Sequence, residues 1–357
     1  MVFFIYLPMS IFLQSLKYIT PFILYVWSYL AFTNNGLFCW IPLFFIFFLV
    51  PILELFIQPD TKNLNEAEEQ LAKNNPIFDL IIWLTVPVQL FSLYLFLQSL
   101  QGEISTLDKM GRIVSMGLIC GIFGINAGHE LGHRKHPFEQ LLAKVLLLTS
   151  LYMHFFIEHN KGHHKDVATP NDPSTAKFKQ NVYAFWIQTF KGSYLGAWRI
   201  AIDESKKKNQ KLPWLNNEMF FFEIIQLMFV IGIFYFFGFA TMICFLAAAL
   251  IGATLLETVN YIEHYGLNRE KKKSELYERV KPEHSWNSNH VIGRLMLFEL
   301  SRHSDHHFLA SRKYQILRHM DTAPQMPTGY PGMILLALVP PLWFKVMHQR
   351  MDAIGFL

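Results

Sequence analysis

Apolar residues run in long, nearly unbroken stretches along this chain, and the polar positions gather between them. A helix that crosses a bilayer needs about 20 mostly apolar residues. Five stretches meet or approach that length, at roughly 18–34, 37–57, 77–100, 218–238 and 240–263. A sixth, about 110–128, is interrupted by Gly111, Gly117, Gly121 and Gly124, small residues that membrane helices use where they pack closely. The turn Thr33-Asn34-Asn35-Gly36 and the turn at Gly238 are too short for anything but antiparallel hairpins. The pattern predicts an all-α integral membrane protein with six transmembrane helices, in one membrane-embedded domain over residues 1–357. Segments 129–217 and 264–357 are predicted to form a helical cap on one face.

Two further apolar runs need a decision. Leu141–Ile157 separates two histidine clusters, which would face opposite compartments if it crossed the bilayer; it is expected to be re-entrant or to lie at the surface. Gly332–Val346 is broken by Pro340-Pro341 and is expected to pack at the interface. The extreme N-terminus has no basic n-region or small-residue cleavage site, so no signal peptide is expected. Lys206–Lys211 and Arg269–Lys273 read as surface loops.

Composition agrees. Apolar residues make up 52% of the chain and charged residues 16%, against roughly 25% charged in soluble domains. A free cytosolic protein and a disordered chain are excluded, and a net charge of +4 does not favour a nucleic-acid binder. Cys39, Cys120 and Cys244 form no CxxC pair, so no cysteine-ligated metal module is expected. Lys and Arg number 13 between Arg134 and Lys211 and another 13 between Arg269 and Arg350, 26 of the 31 in the chain. The positive-inside rule places both regions, and the cap, in the cytoplasm.

The 15 histidines carry the chemistry, because most are clustered. His129-Glu130-Leu131-Gly132-His133 ends the fourth predicted span with two imidazoles at i and i+4, on one helix face. Glu158-His159-Asn160-Lys161-Gly162-His163-His164 repeats that spacing and adds a histidine. Asn260-Tyr261-Ile262-Glu263-His264-Tyr265-Gly266 ends the sixth span, and Arg302-His303-Ser304-Asp305-His306-His307 follows. The candidate ligands are His129, His133, His159, His163, His164, His264, His303, His306 and His307. One zinc takes three or four protein ligands, so nine imidazoles point to two metals with positions left open for dioxygen. Imidazole suits iron, copper, nickel and zinc alike; so many neutral ligands at a membrane surface favour a redox metal.

Any one of these histidines alone would read as a helix cap or a surface residue, and HExxH alone is also a zinc-protease pattern with Glu130 as base. Placement of all four patches on one side of the membrane is what favours a shared site. Asn126, His129 and His133 form one polar stripe, and Glu257, Asn260 and His264 another; polar groups inside spans are costly and functional. Metal-bound histidine commonly gives its second N–H to a carboxylate, which makes Glu130, Glu158, Glu263, Asp166, Asp305, Glu257 and Asn260 candidates for supporting the ligands.

These motifs resemble the integral-membrane alkane 1-monooxygenases, within the wider fatty-acid-desaturase-like di-iron superfamily. The likeness lies in His129–His133, Phe156–Pro173, Asn260–Leu267, His284–His290, Arg302–His307 with Tyr314-Gln315, and Thr328–Gly332. It covers roughly residues 120–345. The resemblance implies two non-haem irons on the nine histidines, with His284 and His290 outside the set. It implies an alkyl channel, O2-dependent oxidation of a chain end to a primary alcohol, and electrons from a separate rubredoxin or ferredoxin with an NADH-dependent reductase. It also implies a bacterial-type inner membrane. His136, His154, His319 and His348 carry no ligand expectation. Arg134 stands where many relatives have Lys, and Phe308 follows His307 where a small residue is common.

Phe44, Phe45, Phe47 and Phe48 on the second span are candidates for the channel wall. An unactivated methyl C–H bond has no acidity for a general base to use, so hydrogen-atom abstraction by activated O2 is the expected chemistry. The rivals are a fatty acyl desaturase or hydroxylase, an aryl-methyl monooxygenase, a membrane zinc protease built on His129, Glu130 and His133, and a metal-binding or transport protein. Basic residues near Lys206–Lys208 and Lys271–Lys273 are placed to steer an acidic electron donor.

Overall fold

The computed structural model describes residues 9–272 and 276–356. The extreme N-terminus judged for a signal peptide, and Lys273 of the basic run, lie outside them. Every regular element among the described residues is helical; the β contacts are two isolated bridges, Lys271 with Tyr277 and Asn287 with Gln325.

The first predicted span is divided. A 3-10 turn, Lys17–Phe22, contains Pro21, and α1 (Ile23–Thr33) follows it. Proline supplies no backbone donor and breaks a regular helix, so α1 has only 11 residues. Among the described residues, four helices are long and apolar enough to cross a membrane: α2 (Gly36–Phe56), α3 (Pro76–Ser99), α4 (Thr106–Gly132) and α8 (Glu218–His264). In α3, α4 and α8 the residue before the helix accepts an orphan N–H group with its side chain. Asn75 caps Ile77 at 3.0 Å, Ser105 caps Asp108 at 3.1 Å, and Asn217 caps Phe220 at 3.0 Å.

The α8 segment is two arms. Gly238 breaks it at φ 83° and ψ 168°, a conformation open essentially to glycine alone. The ring centroids of Phe229 and Phe245 stand 5.7 Å apart, whereas 16 residues of straight helix would separate them by about 24 Å. The arms therefore fold back on each other, as the turn at Gly238 predicts. The second arm meets α4 through glycines: a Cβ on Gly252 would lie 3.0 Å from the Gly121 backbone nitrogen. At the opposite end from the histidines, the buried Arg112 guanidinium closes two turns, donating to Asn34 O at 2.9 Å, Asn35 Oδ1 at 2.7 Å and Ser99 O.

The run Leu141–Ile157 turns back on itself. Helix α5 (Pro137–Leu148) has 12 residues, about 18 Å of helix and too short to cross. A turn with Leu151 at φ 50° follows, tied inward by Gln89 to Thr149 at 3.1 Å and by Ser150 to Cys120 O at 3.0 Å. Helix α6 (His154–Glu158) then returns toward the histidines. Helix α7 (Val182–Lys207), short helices α9 (Val291–Met296) and α10 (His303–Phe308), then α11 (Tyr330–Ala337) and α12 (Pro340–Ala353) follow, and two shorter helices, Met9–Leu16 and Glu66–Asn74, lie earlier in the chain. The predicted loops are only partly loops: Lys206 and Lys207 end α7, and Arg269 is buried with its guanidinium on Lys165 O at 2.7 Å.

Candidate metal centre

Two local irregularities aim the histidines. Helix α4 carries a π-helical turn at Cys120–Ile125, and a second π turn, His159–His163, follows α6. Such turns are frequent at functional sites. The second one changes the pairing read from the sequence: His159 meets His164, five residues on, at 3.0 Å between Nε2 atoms, while His163 turns to another group.

All nine candidate histidines come together, in two groups. In the first, the Nε2 atoms of His129, His133, His159, His164 and His306 form a closed ring with successive separations of 3.1, 3.2, 3.0, 3.1 and 3.0 Å. In the second, His163 lies 3.2 Å from His307, and His264 lies 3.1 Å from His303. Each adjacent pair is split: His163 and His307 serve one group, His164 and His306 the other. Neighbouring helical positions point about 100° apart, so one His-His pair reaches two centres.

The donor set fits metal ions. Two imidazole nitrogens bound to one ion at about 2.1 Å and at right angles lie about 3.0 Å apart, which is the spacing in the five-membered ring. The Nδ1 of His163 faces Asp172 Oδ2 at 3.0 Å, leaving its Nε2 as a lone pair. Burial, followed by neighbouring histidines, holds the His133, His159, His303, His306 and His307 rings well below the usual histidine range, and His164 at about 3. Buried neutral imidazoles that converge in this way are poised for a cation.

The expected supporting residues divide. Glu263 touches the centre, with Oε2 3.2 Å from His303 Nε2 and Oε1 accepting from Tyr330 at 2.7 Å. Glu130 is held by Arg134 at 2.6 Å and by the Tyr314 backbone N–H at 3.2 Å. Asp305 takes Arg312 at 2.7 Å, and Glu257 accepts from Tyr152, Thr189 and Asn260. Glu130, Asp305, Glu257 and Asn260 stabilise the elements that carry ligands rather than the rings themselves. Asp166 and Glu158 line a polar surface crevice, where burial and then Asp172 push the Glu158 carboxyl well above its usual range. Asp172 is the supporting carboxylate that sequence reasoning missed; it lies nine residues beyond His163, and no helical spacing points to it.

An apolar cavity adjoins the centre. Asn126 and Val259 line it about one helical turn before His129 and Glu263, and Leu300 lines it from the turn that leads into His303. Of the four phenylalanines, only Phe47 lines it. Phe44 and Phe48 are 54% and 65% exposed, and Phe45 packs on Trp27 at 6.3 Å. Phe47 sits inside a π-helical turn, Phe45–Leu49.

The protease reading fails here. Its base, Glu130, is engaged by Arg134 and Tyr314, and three further histidines complete the ring around His129 and His133.

Comparison with known proteins agrees with this geometry. The fatty acid desaturase family matches residues 110–349. Alkane 1-monooxygenase 2 of Pseudomonas aeruginosa is 39% identical over 317 residues, covering 88% of this chain and 84% of the relative. The chain belongs to the alkane 1-monooxygenase family. Alkane 1-monooxygenase 1 of the same organism is 40% identical over 86% of this chain and 81% of its own length. The xylene/toluene monooxygenase hydroxylase component of Pseudomonas putida is more distant, at 30% identity over 78% of this chain and 75% of its own. The chain is thus an oxygenase with helices fit to cross a membrane and a histidine centre fit for metal.

Proposed function

We propose that this chain hydroxylates the terminal methyl group of an alkane or related apolar chain, using O2 and electrons from a separate protein. One observation carries the reading: an apolar cavity ends about one helical turn short of His129 and Glu263, at the edge of the converging imidazoles. A hydrocarbon dissolved in lipid enters such a cavity without a polar partner, and its chain end then lies beside the histidines. The greater identity to alkane 1-monooxygenases than to the xylene/toluene enzyme favours a straight chain over an aryl methyl group.

The five-histidine and four-histidine groups would each hold one iron, giving two. When bound, the iron pair supplies the activation of O2 that an unactivated C–H bond requires. The chain's own residues do the positioning. Asp172 fixes the orientation of the His163 ring, Glu263 places a carboxylate beside the His303 Nε2 that faces the centre, Phe47, Leu256 and Val259 exclude water, and Asn126 is held away from the substrate by its bond to Leu297 O at 3.1 Å. Each turnover consumes O2, two electrons and two protons and releases alcohol and water. A rubredoxin or ferredoxin with its NADH-dependent reductase would deliver the electrons.

In this reading the segment through α1, helices α2, α3 and α4, and the two arms of α8 make six spans. The cap and its histidines face the cytoplasm of a bacterial-type inner membrane, where positive loops accumulate. The test is metal analysis of purified protein together with an O2-dependent assay on dodecane, lauric acid and xylene. Two irons per chain and a primary alcohol from dodecane are expected. One zinc per chain, or no oxygen-dependent product, overturns the proposal.

A further inference from the structure

A second cavity, open on one side, lies between the arms of α8, helix α7 and the turn that precedes α6. It shares no lining residue with the apolar cavity beside the metal centre. Its tail end is apolar, walled by Leu227, Val230, Leu246 and Leu250. Leu227 and Leu250 are each 60% exposed, so the mouth opens on the lipid-facing surface of the hairpin.

Its other end is polar and unfinished. His154 is only 7% exposed, and its Nε2 has no hydrogen-bond partner. Glu223 lines the same end with a buried, unpartnered Oε1, beside the Tyr194 hydroxyl. Of the other polar groups here, Gln226 Oε1 accepts from Met153 N at 3.2 Å and Tyr152 donates to Glu257 at 2.6 Å, while the Tyr194 hydroxyl reaches one side of the Glu223 carboxyl and leaves Oε1 open. Buried polar groups left unpaired are uncommon and call for a partner. A pure hydrocarbon would leave both of these unsatisfied. A carboxylate or phosphate head would set its charge against Glu223. A hydroxyl satisfies both, donating to one and accepting from the other.

The crevice also adjoins the metal centre. Phe155, the next residue after His154, stacks on His159 with ring centroids 4.5 Å apart. We infer that this crevice is a binding site for a long-chain primary alcohol, its hydroxyl held between His154 and Glu223 and its tail along the α8 arms. The identity of that alcohol as the reaction's product rests on the hydroxylase reading; the crevice then gives the product a site separate from the substrate cavity, with a mouth on the lipid.

The test is photolabelling of the full chain in detergent with two diazirine probes, one a lauryl alcohol analogue and one a dodecane analogue, mapped by peptide mass spectrometry. The alcohol probe is expected to mark residues 223–230 and 246–250 at least about tenfold more than the alkane probe, the discrimination one or two buried hydrogen bonds provide. His154→Phe and Glu223→Leu should each remove that preference. Leu250→Trp, an exposed substitution that fills the mouth without touching the polar end, should block labelling by both probes. Equal labelling by the two probes, meaning a plain lipid groove, overturns the inference. So does alcohol labelling confined to Phe47, Leu255 and Ile334 of the first cavity. The readout needs no turnover, so hydroxyl-selective labelling of a protein that fails to oxidise dodecane would sink the hydroxylase reading and leave the alcohol site standing.

Discussion

Nδ1 of His163 lies 3.0 Å from Oδ2 of Asp172, and both side chains are buried. The carboxylate is itself fixed by Thr175 Oγ1 at 2.5 Å and the Ser174 N–H at 3.0 Å. This chain of contacts sets the His163 ring so that Nε2 joins the four-histidine group. Substitution of such an outer carboxylate costs roughly 10–100-fold in metal affinity. Asp172→Asn is therefore expected to weaken metal binding at the four-histidine group by that factor and leave the five-histidine group intact. Iron titration of the metal-free variant checks this, and two unaltered sites would contradict it.

Phe47 faces the apolar cavity, whereas Phe44 and Phe48 face outward. Phe47→Ala removes a ring from the cavity wall and should shift the preferred alkane toward longer chains. Phe44→Ala and Phe48→Ala should leave the chain-length profile where it was. Competition assays with mixed alkanes, analysed by gas chromatography, separate the three variants. An equal shift in all three would mean that the helix reorients.

Much of this was legible in the sequence, for physical reasons. Length and apolarity mark spans, and i, i+4 spacing puts His129 and His133 in one group, as found. The same spacing does not put His159 and His163 in one group, because a π turn takes more residues per turn and brings His164 onto His159 instead, and no pattern of residue types announces it. Asp172 was illegible because its contact with His163 depends on a loop, not on helix periodicity. Glu130 and Asp305 look like ligand supports by adjacency, yet their carboxylates are drawn away by Arg134 and Arg312. The run from Leu141 to Ile157 was read as non-crossing by requiring its flanking histidines to meet, and the turn at Leu151 accomplishes it.

The hairpin of α8 depends on backbone freedom at one position. Gly238 sits at φ 83°, and a Cβ added there would meet nothing within 4 Å, so the cost of a side chain is conformational rather than steric. Gly238→Ala should destabilise the protein by about 1–3 kcal/mol. Gly232, on the same arm, is likewise unobstructed but helical, so Gly232→Ala should be neutral or slightly stabilising. Thermal unfolding in detergent distinguishes them, and equal effects would argue against strain at the turn.

Acid should unfold the metal-free protein. Burial and neighbouring histidines hold His133, His159, His303, His306 and His307 well below the ordinary value, and His164 at about 3. An unfolded chain binds protons at these rings near pH 6.5, but the folded chain does not. Below about pH 6.5 the unfolded state therefore carries more protons, and stability falls as pH falls. Above that value both states are neutral, and the dependence disappears. Each such ring contributes up to about 1.4 kcal/mol per pH unit, so several together give a steep decline. Unfolding of metal-free protein, followed between about pH 7 and pH 5, should show that decline, and His306→Gln should make it shallower by removing one titrating ring. A flat profile would mean that the buried rings already carry protons in the fold, which would leave the centre unfit to receive a cation.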